Sequence, residues 1–369
     1  MEDHAYADLG PDRRLSALVI ATGGGGPIRS ERPKSIHVLC GQPMMGYVLD
    51  ALGEVGIDSA VVITGPGGDR VRKRMAEHPT SYDVSFVEQR YDRGSADAAL
   101  VGLSGFDDFV DDADLLVVPA DMPLVDPAEL RSLVAEHRAS GAACTALTVP
   151  ADLADPFVVA RDRHGRVSGL EPQAVAVGRD DLEAVVGVYC VSRGLLAPAV
   201  RRTPLAGPDG RHDLAAVLAV LAESGHPVAT MMVSRSASLS PVDSRRELAE
   251  AAAALRRRIN GNWLDRGVSM VDPERTYIDS TVRLGSDITL FPGTILQGDT
   301  IIGDGCEIGP DTRLDRCTVG DRTVIEKTMA RQAEVGDDAK VGPFAVLEPG
   351  SQVENGAVTG PFYAATADN

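Results

Sequence analysis

The chain is poor in aromatic residues, lysine and cysteine, and it has no long apolar run. Aromatics make up 4% of its 369 residues, so the core must be aliphatic, and 44% of the residues are hydrophobic. No apolar stretch reaches membrane-spanning length, and no basic, then apolar leader opens the chain. Those absences lead to the expectation of a soluble, cytoplasmic protein with neither a transmembrane helix nor a secretory signal. The five cysteines (Cys40, Cys144, Cys190, Cys306, Cys317) are odd in number and lack metal-ligand spacing. They read as buried thiols in a reducing compartment rather than as a disulfide framework or zinc site. Positive charge is in deficit: 36 Lys and Arg stand against 54 Asp and Glu, for a formal net charge of −18. An acidic protein of this kind is a poor partner for nucleic acid or an anionic membrane. Any anion site must be a local positive patch, and only four lysines (Lys34, Lys73, Lys327, Lys340) are available to build one.

One of the four lies in the most informative segment. The apolar run 18–21 leads into Thr22-Gly23-Gly24-Gly25-Gly26-Pro27-Ile28-Arg29-Ser30, with Arg32-Pro33-Lys34 close behind. Glycines accept positive φ and lack a Cβ, so successive backbone N–H groups can converge on one point and hold phosphate oxygens. Lys34 can bring a mobile positive charge to the same place. The pattern reads as a nucleotide site.

The length allows two or three structural units. Residues 1–14 read as a loose polar arm. From 15 to 243, β-branched runs at 60–63, 84–87, 115–118 and 146–149 alternate with helical patterns. That alternation predicts an open, mostly parallel α/β sheet with helices on both faces and ligands beyond the carboxyl ends of its strands. Asp126-Pro127 with Glu129, and Ser244 with Glu247, read as helix starts with capping boxes. The second opens a linker helix over 244–266 with Leu248, Ala252, Leu255 and Ile259 at helical spacing. Over 267–360, aliphatic-glycine pairs recur near every sixth residue (Leu284-Gly285, Ile302-Gly303, Ile308-Gly309, Val319-Gly320, Val335-Gly336, Val341-Gly342). A six-residue beat predicts a parallel β-helix, with a loop or irregular coil where the beat slips near 319–329. Residues 361–369 read as a tail.

The whole resembles the bacterial N-acetylglucosamine-1-phosphate uridylyltransferase/glucosamine-1-phosphate acetyltransferase family. It is most similar at Gly41-Gln42-Pro43-Met44, at Ala120-Asp121-Met122-Pro123-Leu124 and over Asp272-Pro273-Glu274-Arg275-Thr276-Tyr277-Ile278-Asp279. The resemblance implies a Rossmann-like, type A glycosyltransferase-like nucleotidyltransferase domain, a linker helix, and a short left-handed β-helix of hexapeptide repeats that associates as a trimer. It implies that Ala21, Thr22, Gly23 and Gly25 hold the nucleotide and Lys34 the leaving pyrophosphate. Gln89, Gly94 and Ser95 match the base-reading segment, with the glutamine amide on a pyrimidine edge and the glycine letting the base approach the backbone; this favours a pyrimidine nucleotide, UTP or dTTP, over a purine one. Asp121 and Asp243 match the Mg²⁺ ligands.

Several positions depart from the family pattern. Its loop arginine is Pro27, and Arg29, two residues on, is the candidate substitute. In the sugar pocket Glu171 is retained, the Asn-Thr-Gly segment is Val185-Val186-Gly187, and Arg211 stands where a different anionic group could be met. The family's Arg-x-Arg-Pro-Gly segment reads Val346-Leu347-Glu348-Pro349-Gly350, and the chain ends before the family's catalytic histidine, so acetyl transfer is not expected. These features imply nucleotidyl transfer to a sugar phosphate or a sugar-like cyclitol phosphate. Pro27 and Val185 leave open a second reading, a catalytically silent relative that binds nucleotide and serves as a regulatory or scaffolding subunit.

Overall fold

The structure, a computed structural model, describes residues 13–23, 28–106, 113–152, 157–176, 181–204, 212–234 and 237–366. The chain divides into two compact units. One comprises the chain to His37 and from Pro43 to Glu247; the other comprises Val38–Gln42 and everything from Leu248. Among the described residues, no helix is long and apolar enough to cross a membrane.

The first unit runs β1 (Arg14–Ala21), α1 (Met44–Val55), β2 (Ser59–Thr64), α2 (Asp69–Met75), β3 (Asp83–Glu88), α3 (Ser95–Leu103), β4 (Ala113–Pro119), α4 (Pro127–Ser140) and β5 (Cys144–Pro150). A ribbon of β6 (Phe157–Arg161) and β7 (Val167–Pro172) follows, then β8 (Glu183–Ser192), α5 (Arg193–Val200), α6 (Val217–Glu223) and β9 (Val228–Met232). Seven strands form one sheet in the order β9-β5-β8-β4-β1-β2-β3. All neighbours are parallel except β8, which is antiparallel to β4 and β5.

The strand residues alternate between two cores. Ala17, Val19, Leu116 and Val118 pack with Met45, Val48, Leu49 and Leu52 of α1 and with Leu130, Leu133 and Val134 of α4. Leu18, Leu115 and Val117 pack on the other face with Ala96 and Ala99 of α3, Leu196 of α5 and Leu218 and Leu221 of α6. This period of two on a sheet covered on both sides explains why the strands read as unbroken apolar runs. Strand order reverses at β1, which has β2 on one side and β4 on the other. The crevice beyond the carboxyl ends of β1 and β4 is therefore the switch point where such sheets take ligands.

Helix α7 (Arg245–Asp265) leads into a β-helix. Its short strands stack into three parallel sheets of five, six and five strands. Leu290, Leu296, Ile302, Ile308 and Leu314 point inward at steps of six, and Ile259 and Trp263 of α7 pack against that core. Buried threonines are satisfied by carbonyls of their own and neighbouring coils: Thr294 Oγ1 donates to Phe291 O at 2.7 Å and Ile308 O at 3.0 Å.

The recurrent glycine has a steric cause. Asp304, Asp321, Asp337 and Asn355 each turn a side-chain oxygen back onto the preceding coil, accepting from Ser286 N, Asp304 N, Asp321 N and Asp337 N at 2.7–2.9 Å. A Cβ on Gly320 would lie 2.3 Å from Asp337 Oδ1. The glycine of one coil and the Asp or Asn of the next are thus two halves of one coil-to-coil contact.

The lapse in the beat over 319–329 is not a loop. Thr318–Val319, Val324–Ile325 and Met329–Arg331 are strands there, with Val319, Ile325 and Ala330 buried. Partner residues are 18 apart at Tyr277 and Ile295, 17 at Ile301 and Thr318, 16 at Arg313 and Met329, and 18 again at Glu334 and Gln352. The corners shorten while the inward residue of each side is kept. All five cysteines are free; four are buried, and Cys40 is half-buried rather than fully so.

Candidate active site

Three charged side chains from distant parts of the first unit meet at the switch point. β1 ends at Ala21 and passes through Thr22 to Gly23. The chain returns at Pro33, and Lys34 opens a short 3-10 turn, Lys34–Ile36. The lysine stem runs past Gly23, where a Cβ would sit 3.4 Å from Lys34 Cε and 3.9 Å from Nζ. At the end of β4, Ala120 N donates to Ile20 O at 3.0 Å and extends the sheet ladder by one residue, which sets Asp121 beside the end of β1.

Asp121 also positions the third member. Its carbonyl accepts from Val242 N at 2.9 Å, which brings the segment before α7 to the same place. The capping box expected from the sequence then fixes Asp243. Glu247 Oε2 accepts from Asp243 N at 2.6 Å and Ser244 N at 2.7 Å, while Glu247 N donates to Ser244 Oγ at 3.2 Å. The Lys34 ammonium donates to Asp243 Oδ1 and forms an ion pair with Asp121 Oδ2. Next to it, Arg245 Nε donates to Ile28 O at 3.1 Å and ties the start of α7 to the far end of the glycine loop.

Electrostatics follow from this packing. Burial pushes the Asp121 carboxyl above its usual range, Asp243 adds to the rise, and Lys34 opposes it. Burial works against the Lys34 charge, but Asp121 and then Asp243 outweigh it and hold the amine's pKa above its ordinary value. Lys34 is therefore charged, and it keeps two close carboxylates compatible.

The donor set suits a hard divalent cation. Asp121 Oδ1 is buried without a hydrogen-bond partner, although buried polar atoms are ordinarily paired. Among the described residues there is no cluster of three or more His, Cys, Asp and Glu side chains that would hold a metal unaided. Two carboxylates completed by water and phosphate oxygens match how Mg²⁺ is held.

The segment matched to base reading is tied down by contacts of its own. Gln89 is 2% exposed. Its Nε2 donates to Gly94 O at 3.2 Å and to Asp97 Oδ2 at 2.8 Å, which leaves Oε1 buried and unpaired. Gly94 has φ +95°, and a Cβ on it would lie 2.2 Å from the His212 carbonyl oxygen. The His212 backbone thus occupies the side of Gly94 where a side chain would project. Ser95 Oγ accepts from Leu214 N at 2.9 Å and donates to Asp213 Oδ1 at 3.4 Å, locking the same two segments together.

Of the acceptor candidates, Glu171 lies half-buried on β7 opposite Val158. Gly187 (φ +83°) sits in the irregular part of β8 between Val185 and Tyr189, and its Cβ position is 3.4 Å from Pro119, two residues before Asp121. Val185 and Val186 are half-buried against opposite cores. Arg29 is exposed with φ +53°. Gly25, Pro27 and Arg211 lie outside the described residues. The sequence did not reveal Val242 or Arg245 as parts of the site. One acts through its backbone, and the other stands in a run of charges that reads as an ordinary helix start.

A family model for the MobA-like NTP transferase domain matches residues 17–187, which contain the glycine loop, Lys34 and Asp121. Similar proteins include the Bifunctional protein GlmU of Heliobacterium modesticaldum, 32% identical over 95% of this chain and 75% of that protein. Those of Streptomyces avermitilis and Mycolicibacterium vanbaalenii are each 34% identical over 95% of this chain, covering 73% and 72% of their own lengths. With an NTP transferase domain followed by a β-helix, and with similarity running through both, the chain belongs to the GlmU family.

Proposed function

We propose that the first unit catalyses Mg²⁺-dependent transfer of a nucleotidyl group from a nucleoside triphosphate, UTP above others, to a phosphorylated sugar or cyclitol, with release of pyrophosphate. The observation that carries this reading is the convergence of Lys34, Asp121 and Asp243 beside Gly23 at the switch point. In-line phosphoryl chemistry asks for positioning and charge neutralisation rather than covalent catalysis. Gly23 and the loop after it bind phosphate, and Lys34 stabilises the negative charge of the departing pyrophosphate. Asp121 and Asp243 would hold Mg²⁺, which when bound neutralises the phosphates. Arg245 steadies the loop through Ile28.

The acceptor differs from N-acetylglucosamine 1-phosphate in this reading. Val185 and Val186 offer no hydrogen bond to a sugar hydroxyl or acetamido group, and such unpaired contacts cost discrimination. Acetyl transfer is not part of the proposal, because Glu348 sets a carboxylate where the resemblance asks for a cation. The β-helix would serve self-association as a trimer: on one of its sheets Met329 and Val346 are exposed apolar neighbours, with Tyr277 in the same register row beyond Ile295 and Arg313. Five free thiols suit a cytoplasmic setting.

Pyrophosphate release tests the reading, with several nucleoside triphosphates paired against sugar and cyclitol 1-phosphates in Mg²⁺. Turnover with one pair, reduced at least about 100-fold by Asp121→Ala, is the expected result. Silence across the panel with nucleotide binding intact would favour the non-catalytic subunit instead.

A further inference from the structure

Lys34 has a place in this site beyond neutralising a leaving group. Its ammonium is shared by the two carboxylates assigned above to a divalent cation, and neither carboxylate has another cationic partner among the described residues. The amine and a metal ion would compete for the same oxygen lone pairs, and both carry positive charge, so one excludes the other. Stripped of both cations, Asp121 and Asp243 would repel as carboxylates. The lysine is also placed to leave. Its stem lies along Gly23, which has no side chain to bar the way, and the amine is 3.9 Å from where that Cβ would be. The amine already lies beside Gly23, the residue that leads into the segment proposed to receive the phosphates.

We infer that Lys34 is a resident counter-cation that closes the Asp121–Asp243 pair to divalent metal until a nucleoside triphosphate draws its amine onto the phosphates. This inference rests on the reading of the site as a nucleotidyltransferase centre. Its consequence is a built-in order: metal alone binds these carboxylates poorly, nucleotide opens them, and by linkage each raises the other's affinity. A free divalent cation therefore competes poorly for the centre before nucleotide arrives.

The test is Mn²⁺ binding to the full chain without nucleotide, followed by electron paramagnetic resonance. Lys34→Met keeps the stem's length without the charge. It should bind one Mn²⁺ roughly 5–150-fold more tightly than wild type, the usual range of such couplings, and adding Asp121→Asn should abolish the gain. A second measurement covers the case in which Lys34→Met does not fold. With isotope-labelled lysine, wild type gives signals from only four lysines, and UTP without any divalent cation should shift that of Lys34. Wild type binding Mn²⁺ as tightly as Lys34→Met, in a manner lost with Asp121→Asn, would overturn the exchange while leaving the metal centre standing. A Lys34 signal unmoved by saturating UTP would do the same. If no variant shows Mn²⁺ binding that depends on Asp121, the metal reading itself fails and this inference with it.

Discussion

Asp114 offers a test of the fold that leaves the candidate site alone. It lies near the start of β4, at the opposite end of the strand from Asp121, and is fully buried. Arg138 Nε donates to its Oδ2 at 2.7 Å, Arg13 lies 3.1 Å and His137 Nε2 3.6 Å from Oδ1, and Arg138 also donates to Arg13 O at 2.9 Å. One carboxylate thus joins α4 to the strand and to the chain just before β1. Asp114→Ala removes the negative partner and leaves buried His137 and mostly buried Arg138 facing an empty site. Removing one member of a buried pair costs about 3–5 kcal/mol. For a unit of this size, that lowers the melting temperature by roughly 6–20 °C. Calorimetry of the full chain is the assay, with the β-helix transition as an internal control. A fall of under about 1 kcal/mol would refute the account, since such an effect is ordinary for surface changes.

Acid pH gives the same argument a sign. Burial raises the Asp114 pKa, but nearby His137, the hydrogen bond from Arg138 and the field of Arg13 outweigh it, so the folded value lies below the ordinary carboxylate range. A depressed folded pKa contributes stability above the unfolded pKa, about 3.9, and that contribution is lost as pH falls through the folded value. Wild type should therefore exceed Asp114→Asn at neutral pH, and the two should converge in acid. A gap unchanged down to about pH 2 would show that the charge is not the cause.

Three further changes probe the other contacts. Glu247→Ala removes the acceptor for Asp243 N and Ser244 N and should cost about 1 kcal/mol, typical of a lost cap, while lowering turnover more than stability; kinetics beside urea titration separate the two. Gly94→Ala forces a Cβ against the His212 carbonyl at a positive φ, so it should lower the first unit's melting temperature and raise KM for nucleotide together. Gly320→Ala drives a Cβ into Asp337 and should destabilise the β-helix by about 1–3 kcal/mol, with the first unit's transition unmoved in calorimetry.

Features written in local spacing are legible in the sequence alone. Alternation around Leu115–Leu116–Val117–Val118 announces a sheet covered on both faces, and the six-residue beat announces coils. Ser244 and Glu247 announce a helix start, because a capping box is complete within four residues. Asp121 and Lys34 can be named because motif and position both survive. What is not legible depends on partners far along the chain. Nothing near Gly94 announces that His212 fills its open side, and nothing near Val242 announces that its N–H seeks the carbonyl of Asp121. The slip over 319–329 reads as a loop for a related reason. The beat counts residues, whereas the β-helix conserves only which side chain faces inward and lets the corner length vary.

That freedom at the corners gives the two halves of the gene different tolerance to small deletions. In the β-helix, losing one residue at a corner leaves the next inward aliphatic where it was, as the run from 18 to 16 residues per coil and back records. In β4 the same loss would turn every following side chain to the opposite face and carry Asp121 away from Lys34. Length variation among related genes should therefore collect at the β-helix corners, while the stretch between Ala113 and Asp121 keeps its reading frame residue for residue.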